Sequence, residues 1–99
     1  MEFTVRGNVW RYEGPGGWFF VSLSRQQAAQ LRATPGIAKV AWGYIPVVAR
    51  VGETEWRTTL FPSRKDETYL LAIKADVRKR ERVVAGDAVA VEVRVTGGV

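Results

Sequence analysis

The chain has 99 residues, 46% of them hydrophobic, and a formal net charge of +5 at pH 7 without a single cysteine or histidine. One domain spanning residues 1–99 is expected, with a single core that buries roughly 60 to 70% of the unfolded surface. The two missing residue types exclude a disulfide framework, thiolate or imidazole metal ligands, and Ser/His or Cys/His nucleophiles, so no metal or cofactor is expected.

Residues 2–6 alternate, with Phe3 and Val5 opposed to Thr4 and Arg6. Gly7 then predicts a bulge before Val9, Trp10 and Tyr12. "EGPGG" at 13–17 reads as a tight turn, because proline fixes φ and glycines supply positive φ, so residues 2–12 and 18–23 are expected to pair as a hairpin. Ser24 stands three residues before Gln27 in a capping-box pattern, and Ala28, Ala29 and Leu31 favour a helix that Pro35 and Gly36 stop.

Residues 38–51 and 54–61 are expected to form a second hairpin about Gly52, with Pro46 requiring an edge position or a bend. After the charged loop "PSRKDE" comes the strand "TYLLAIKA", and Asp76 is a candidate N-cap for one or two helical turns. Gly86 and Asp87 turn the chain into "AVAVEVRV", where Val89, Val91, Val93 and Val95 face the core and Ala88, Ala90, Glu92 and Arg94 face out.

These elements predict a mostly β protein: a small closed or partly open barrel of about six strands with one or two short helices, since closure removes exposed edges. A strand–basic helix–Gly-Asp–strand unit is similar to the swapped-hairpin and double-split barrels of transition-state regulators and antitoxins, in which two intertwined chains present arginines to DNA. Here 99 residues are enough to supply both halves. The absence of cysteine, of a charged-then-apolar leader and of an apolar run of roughly 18 residues points to a cytoplasmic protein with no membrane partner.

Trp42, Gly43, Ile45, Pro46 and Val47 begin a spaced pattern that continues through Gly52, Thr54, Trp56, Thr58, Phe61 and Pro62. It ends with Lys65, Tyr69, Leu71, Lys74, Val77, Arg78, Lys79, Gly86 and Asp87. The pattern resembles the bacterial family called domain of unknown function 1905, and "WRYEGPGGWFFVSL" extends the resemblance over nearly the whole chain. Thr59 stands where that family usually has serine, and Ser24 and Ala72 where it usually has proline. The resemblance implies a small β-barrel and no established activity.

Three constellations are candidate sites. Trp42, Trp56 and Tyr69 lie on neighbouring strand segments and could line a pocket mouth for a planar group. Thr58, Thr59, Lys65, Lys74 and Arg78 offer hydroxyls and cations for an anion, and eleven of the fifteen basic residues are arginine, which grips phosphate and carboxylate bidentately. Lys74 to Arg82 carries five basic residues in nine, and Arg78, Lys79, Arg80 and Arg82 are the candidates for nucleic-acid contact.

Asp66, Glu67, Asp76, Glu81 and Asp87 show no spacing suited to a paired general acid and base, and "GPGG" precedes a strand instead of the helix a phosphate loop needs. The leading expectation is a non-catalytic binding module for a small anionic or planar ligand. The alternatives are sequence-independent nucleic-acid binding through residues 78–82 and a protein-interaction or homodimer module using Trp10 and Tyr12, with monomer and homodimer both open.

Overall fold

The alternating valines of the last strand anchor one antiparallel sheet. In the structure, a computed structural model describing residues 1–37 and 43–96, the strands are β1 (Glu2–Asn8), β2 (Trp10–Arg11), β3 (Phe19–Ser22), β4 (Ile45–Val51), β5 (Thr54–Ser63), β6 (Thr68–Ala72) and β7 (Ala88–Val95). Helices α1 (Arg25–Ala33) and α2 (Ala75–Glu81) follow β3 and β6. The sheet order is β1-β7-β4-β5-β6-β3-β2.

The two edge strands, β1 and β2, are separated in sequence only by Val9. The ends of the sheet must therefore come together, and the sheet curls into a half-barrel around the core. At the seam, a Cβ on Gly7 would stand 3.4 Å from Val21 Cγ1, and Gln27 donates its side-chain amide to Thr4 O at 2.7 Å. That bond covers part of an edge that would otherwise offer unpaired backbone to another chain.

The first predicted hairpin is mostly replaced by a longer-range pairing. β1 pairs with β7 from Glu2↔Arg94 to Asn8↔Ala88, whereas only Trp10 and Arg11 pair with Phe20 and Phe19. Gly7 lies in register opposite Val89 and forms no bulge. The break falls at Val9, whose N–H donates to Asp87 O at 2.9 Å and whose carbonyl accepts from Gly86 N at 2.7 Å. Anchoring Val9 to the turn before β7 redirects the chain from one edge of the sheet to the other.

The second hairpin forms between β4 and β5, with Ile45↔Leu60 through Val51↔Thr54 in register; its predicted residues 38–42 lie outside the described residues. Pro46 needs no edge strand, because the β4–β7 ladder begins one residue later at Val47↔Val95 and the Pro46 carbonyl accepts from Thr96 N. Its missing donor thus falls at the end of a ladder.

Val5, Val21, Ile45, Val47, Leu60, Leu71, Val91 and Val93 form the interior, each at most 2% exposed. α1 begins with the predicted box: Gln27 N donates to Ser24 Oγ at 3.1 Å and Ser24 N to Gln27 Oε1 at 3.3 Å. It buries Ala28 and Leu31 at the i, i+3 spacing of one helix face.

α2 starts two residues earlier than the predicted Asp76 cap. Ile73 is held by its N–H to Phe19 O, so the chain turns immediately and Lys74 becomes the N-cap, with no side-chain cap bond. Asp76 instead accepts from Val77 N inside the first turn. Glu81 packs over Gly52 and accepts a 2.6 Å bond from Thr54 Oγ1, tying α2 to the β4–β5 turn. Asp87 accepts from Val84 N at 2.9 Å, the turn-forming role its position suggested.

Candidate functional site

Strand alternation sends Phe19 and Val21 toward the core and Phe20 to the opposite face. There Phe20 is only 7% exposed, because other aromatic rings cover it. Trp18 stacks on it with ring centroids 6.0 Å apart and planes 2° from parallel. Trp10 lies tilted at 5.2 Å, and Tyr12 meets the same ring edge-on at 6.3 Å. Phe61, opposite Leu70 on β6, presents its edge to Trp18 at 5.8 Å and to Phe20 at 6.1 Å, and Tyr44 adds a further edge contact to Phe61 at 5.6 Å. These offset and edge geometries are the favoured ones for ring quadrupoles.

Trp10 is fixed by its indole N–H, which donates to Ser22 Oγ at 3.0 Å. Trp18, Tyr12 and Tyr44 remain exposed, Trp18 at 46%. The 13–17 turn shapes this surface, since a Cβ on Gly14 would strike the Tyr12 ring and one on Gly16 would fall 2.6 Å from Trp18 Nε1.

Three cavities meet at Trp18. The largest, about 620 Å³, is lined by Trp10, Tyr12, Trp18, Phe20, Phe61 and Leu70, together with Arg11, Glu13, Ser63, Lys65 and Asp66. A second of about 340 Å³ shares Trp18 and Phe61 with it and adds Arg57, Thr58, Thr59, Ala72 and Lys74. The third, about 210 Å³, lies between the glycine turn and the start of α2, bordered by Gly16, Gly17, Trp18, Phe19, Ala72, Ile73, Lys74, Ala75 and Arg78.

The Arg78 guanidinium sits 3.8 Å above the centroid of Phe19, a cation–π contact. Its Nη1 is buried with no hydrogen-bond partner among the described residues. Among the described residues the ion pair found is Arg50 with Glu92, on another part of the sheet, so Arg57, Lys74 and Arg78 carry no paired carboxylate.

The sequence-predicted residues separate into groups. Thr58, Thr59 and Lys74 share the second cavity, Lys74 and Arg78 share the third, and Lys65 borders the aromatic cavity. Trp56 and Tyr69 are core residues, 8% and 4% exposed, and the Trp56 indole N–H is buried with no partner among the described residues. Trp42 lies outside the described residues.

The basic segment does not act as one face: Arg78 turns back onto Phe19, while Lys79, Arg80 and Arg82 are exposed. Lys79 and Arg80 stand in the last turn of α2, where the partial negative charge of a helix C-terminus favours cations. Trp18, Phe20, Phe61 and Arg57 complete the surface and were not singled out from sequence. The available signal was parity: Phe19 and Val21 inward implies Trp18 and Phe20 outward.

Residues 6–93 match the family described as Domain of unknown function (DUF1905). The chain belongs to this family. The match runs from β1 through most of β7, so this DUF1905 domain comprises the half-barrel, both helices and every residue of the aromatic surface. No curated protein matches the chain. Among the described residues, no helix is long and apolar enough to cross a membrane.

Proposed function

We propose that this DUF1905 domain is a small, cytoplasmic, non-catalytic binding module for a ligand that combines a planar ring with an anionic group. The ring stacks on Trp18 in the 620 Å³ cavity, and the anionic group reaches Thr59, Lys74 and Arg57 in the adjoining one. The observation that supports this reading is the position of Trp18, a half-exposed indole that lines both the aromatic cavity and the one bearing Arg57 and Lys74. Exposed apolar surface bordered by polar groups is the usual character of a ligand site.

One stacked ring contributes about 1–3 kcal/mol and one charge-assisted hydrogen bond a similar amount, which puts affinity roughly between 40 μM and 30 mM. A thermal-shift panel tests the reading with nucleoside monophosphates and aryl carboxylates, set against phosphosugars and neutral rings. Compounds with both ring and charge should raise Tm at millimolar concentration, and Trp18→Ala should abolish the rise. A flat response across the panel would count against the proposal.

A second reading follows from the same surface, because Tyr12, Trp18 and Tyr44 are each more than 40% exposed. Two copies could bury those rings against each other. Sedimentation at high concentration showing only an 11.1 kDa monomer would remove the homodimer reading.

A further inference from the structure

Arg50 and Arg78 show two different ways of holding a guanidinium. Arg50 donates to Gly52 O at 3.2 Å and pairs with Glu92, so its donors have protein acceptors. Arg78 is pinned on Phe19 and, among the described residues, its side chain donates no hydrogen bond to the protein. The carboxylates of its own helix are engaged elsewhere: Asp76 accepts from Val77 N and Glu81 from Thr54 Oγ1. A guanidinium nitrogen such as Arg78 Nη1, buried with no acceptor among the described residues, is costly to maintain in a folded chain.

The fork borders the 210 Å³ cavity, whose other cation is Lys74 and whose far wall is the glycine turn and Trp18. That space is smaller than the roughly 300–1,000 Å³ usual for a whole small-molecule ligand, yet ample for an oxyanion group. We infer that Arg78 and Lys74 form an oxyanion subsite, with Arg78 as the bidentate fork and Phe19 as the plate that holds it in place. The group it takes is a phosphate or a carboxylate. This rests on the binding reading above for the rest of the ligand, and it moves the anionic group from the Arg57 side of Lys74 to the Arg78 side, Lys74 being shared by the two cavities. Trp18 then borders both the ring cavity and the oxyanion cavity.

The test is an amide NMR titration of the full chain with inorganic phosphate and, separately, acetate, at constant ionic strength. Saturable shifts of the Gly16, Gly17 and Ala75 amides are expected at low millimolar concentration. Arg78→Gln should weaken the response at least tenfold. Arg78→Met, which keeps an apolar stem over Phe19, should do the same and serves if the glutamine variant fails to fold. Saturation by phosphate alone assigns a phosphate ester, and saturation by acetate a carboxylate.

No saturable shift with either anion, or equal affinity in both Arg78 variants and the parent, would overturn the subsite. Tyr12→Ala separates the two proposals, because Tyr12 lines the ring cavity and not the oxyanion one, so this variant should keep the phosphate response while weakening planar ligands. Planar ligands bound without any phosphate or acetate response would overturn the subsite alone. A phosphate response without planar binding would overturn the ring reading alone.

Discussion

The outer face of the sheet has a charged half and an aromatic half. Across β1, β7, β4 and the start of β5, Glu2 stands opposite Arg94, and Arg50 stands between Glu92 and Glu55. Across β2, β3, β6 and the end of β5, the outward positions are Trp10, Phe20, Leu70 and Phe61 instead. Both halves follow the same period of two. In the first, Glu2, Arg94, Arg50, Glu92 and Glu55 meet opposite charges on that face, directly or diagonally, in the strand register. In the second, rings remain exposed, and among the described residues Arg57, Lys74 and Arg78 beside them form no ion pair. A cavity of about 490 Å³ over the charged half is therefore a weaker ligand candidate than the surface around Trp18, because its charges already neutralise one another.

The largest expected effect concerns the bed beneath the exposed rings. Phe20→Ala removes a ring that Trp10, Trp18 and Phe61 cover, and should lower stability by about 3 kcal/mol in urea denaturation. A loss below about 1 kcal/mol would mean that the aromatic half is loosely packed. Next comes Trp18→Ala, expected to weaken planar anions about tenfold or more, equivalent to about 1.4 kcal/mol. Its stability should change less than that of Phe20→Ala, since nearly half of the side chain is exposed.

Gly14→Ala should act more gently, through Tyr12. Gly14 is not among the residues with positive φ, so the backbone tolerates alanine, but the new Cβ meets the Tyr12 ring and must displace it. A cost of about 1 kcal/mol and a change in ligand selectivity are expected, read by thermal melts and the same ligand panel. The smallest effect belongs to the charged half. Glu92→Gln removes an exposed ion pair worth about 0–1 kcal/mol and should leave planar-anion affinity unchanged. Lost binding in Glu92→Gln would erase the distinction between the two halves.

Much of the local architecture follows from short-range pattern. The capping box at Ser24, the turn at 13–17, the β4–β5 hairpin and the inward set Val91, Val93 and Val95 are each signalled within a few residues. Family membership, too, rests on linear spacing. The candidate surface was harder to read. Thr58, Thr59, Lys74 and Arg78 are legible as polar groups near one another, but of the rings the sequence offers beside them, Trp42, Trp56 and Tyr69, the last two lie in the core and Trp42 outside the described residues.

The reason lies in what alternation encodes. It divides a strand into two sets and leaves open which set faces the core when both contain aromatics, as in "TEWRTTLF" and "GWFFVSL". Register with neighbouring strands resolved the choice, placing Trp56 opposite Ala49 inside and Phe20 opposite Trp10 outside. Likewise the sequence marks 74–82 as basic, but equal charges there have unequal surroundings. Arg78 acquires Phe19 as a neighbour only because β6 and β3 pair, and Arg80 meets solvent. Residue type and spacing thus determined most strands, the turns and the start of α1, while long-range pairing determined which tryptophan was buried and which arginine came to lie on Phe19.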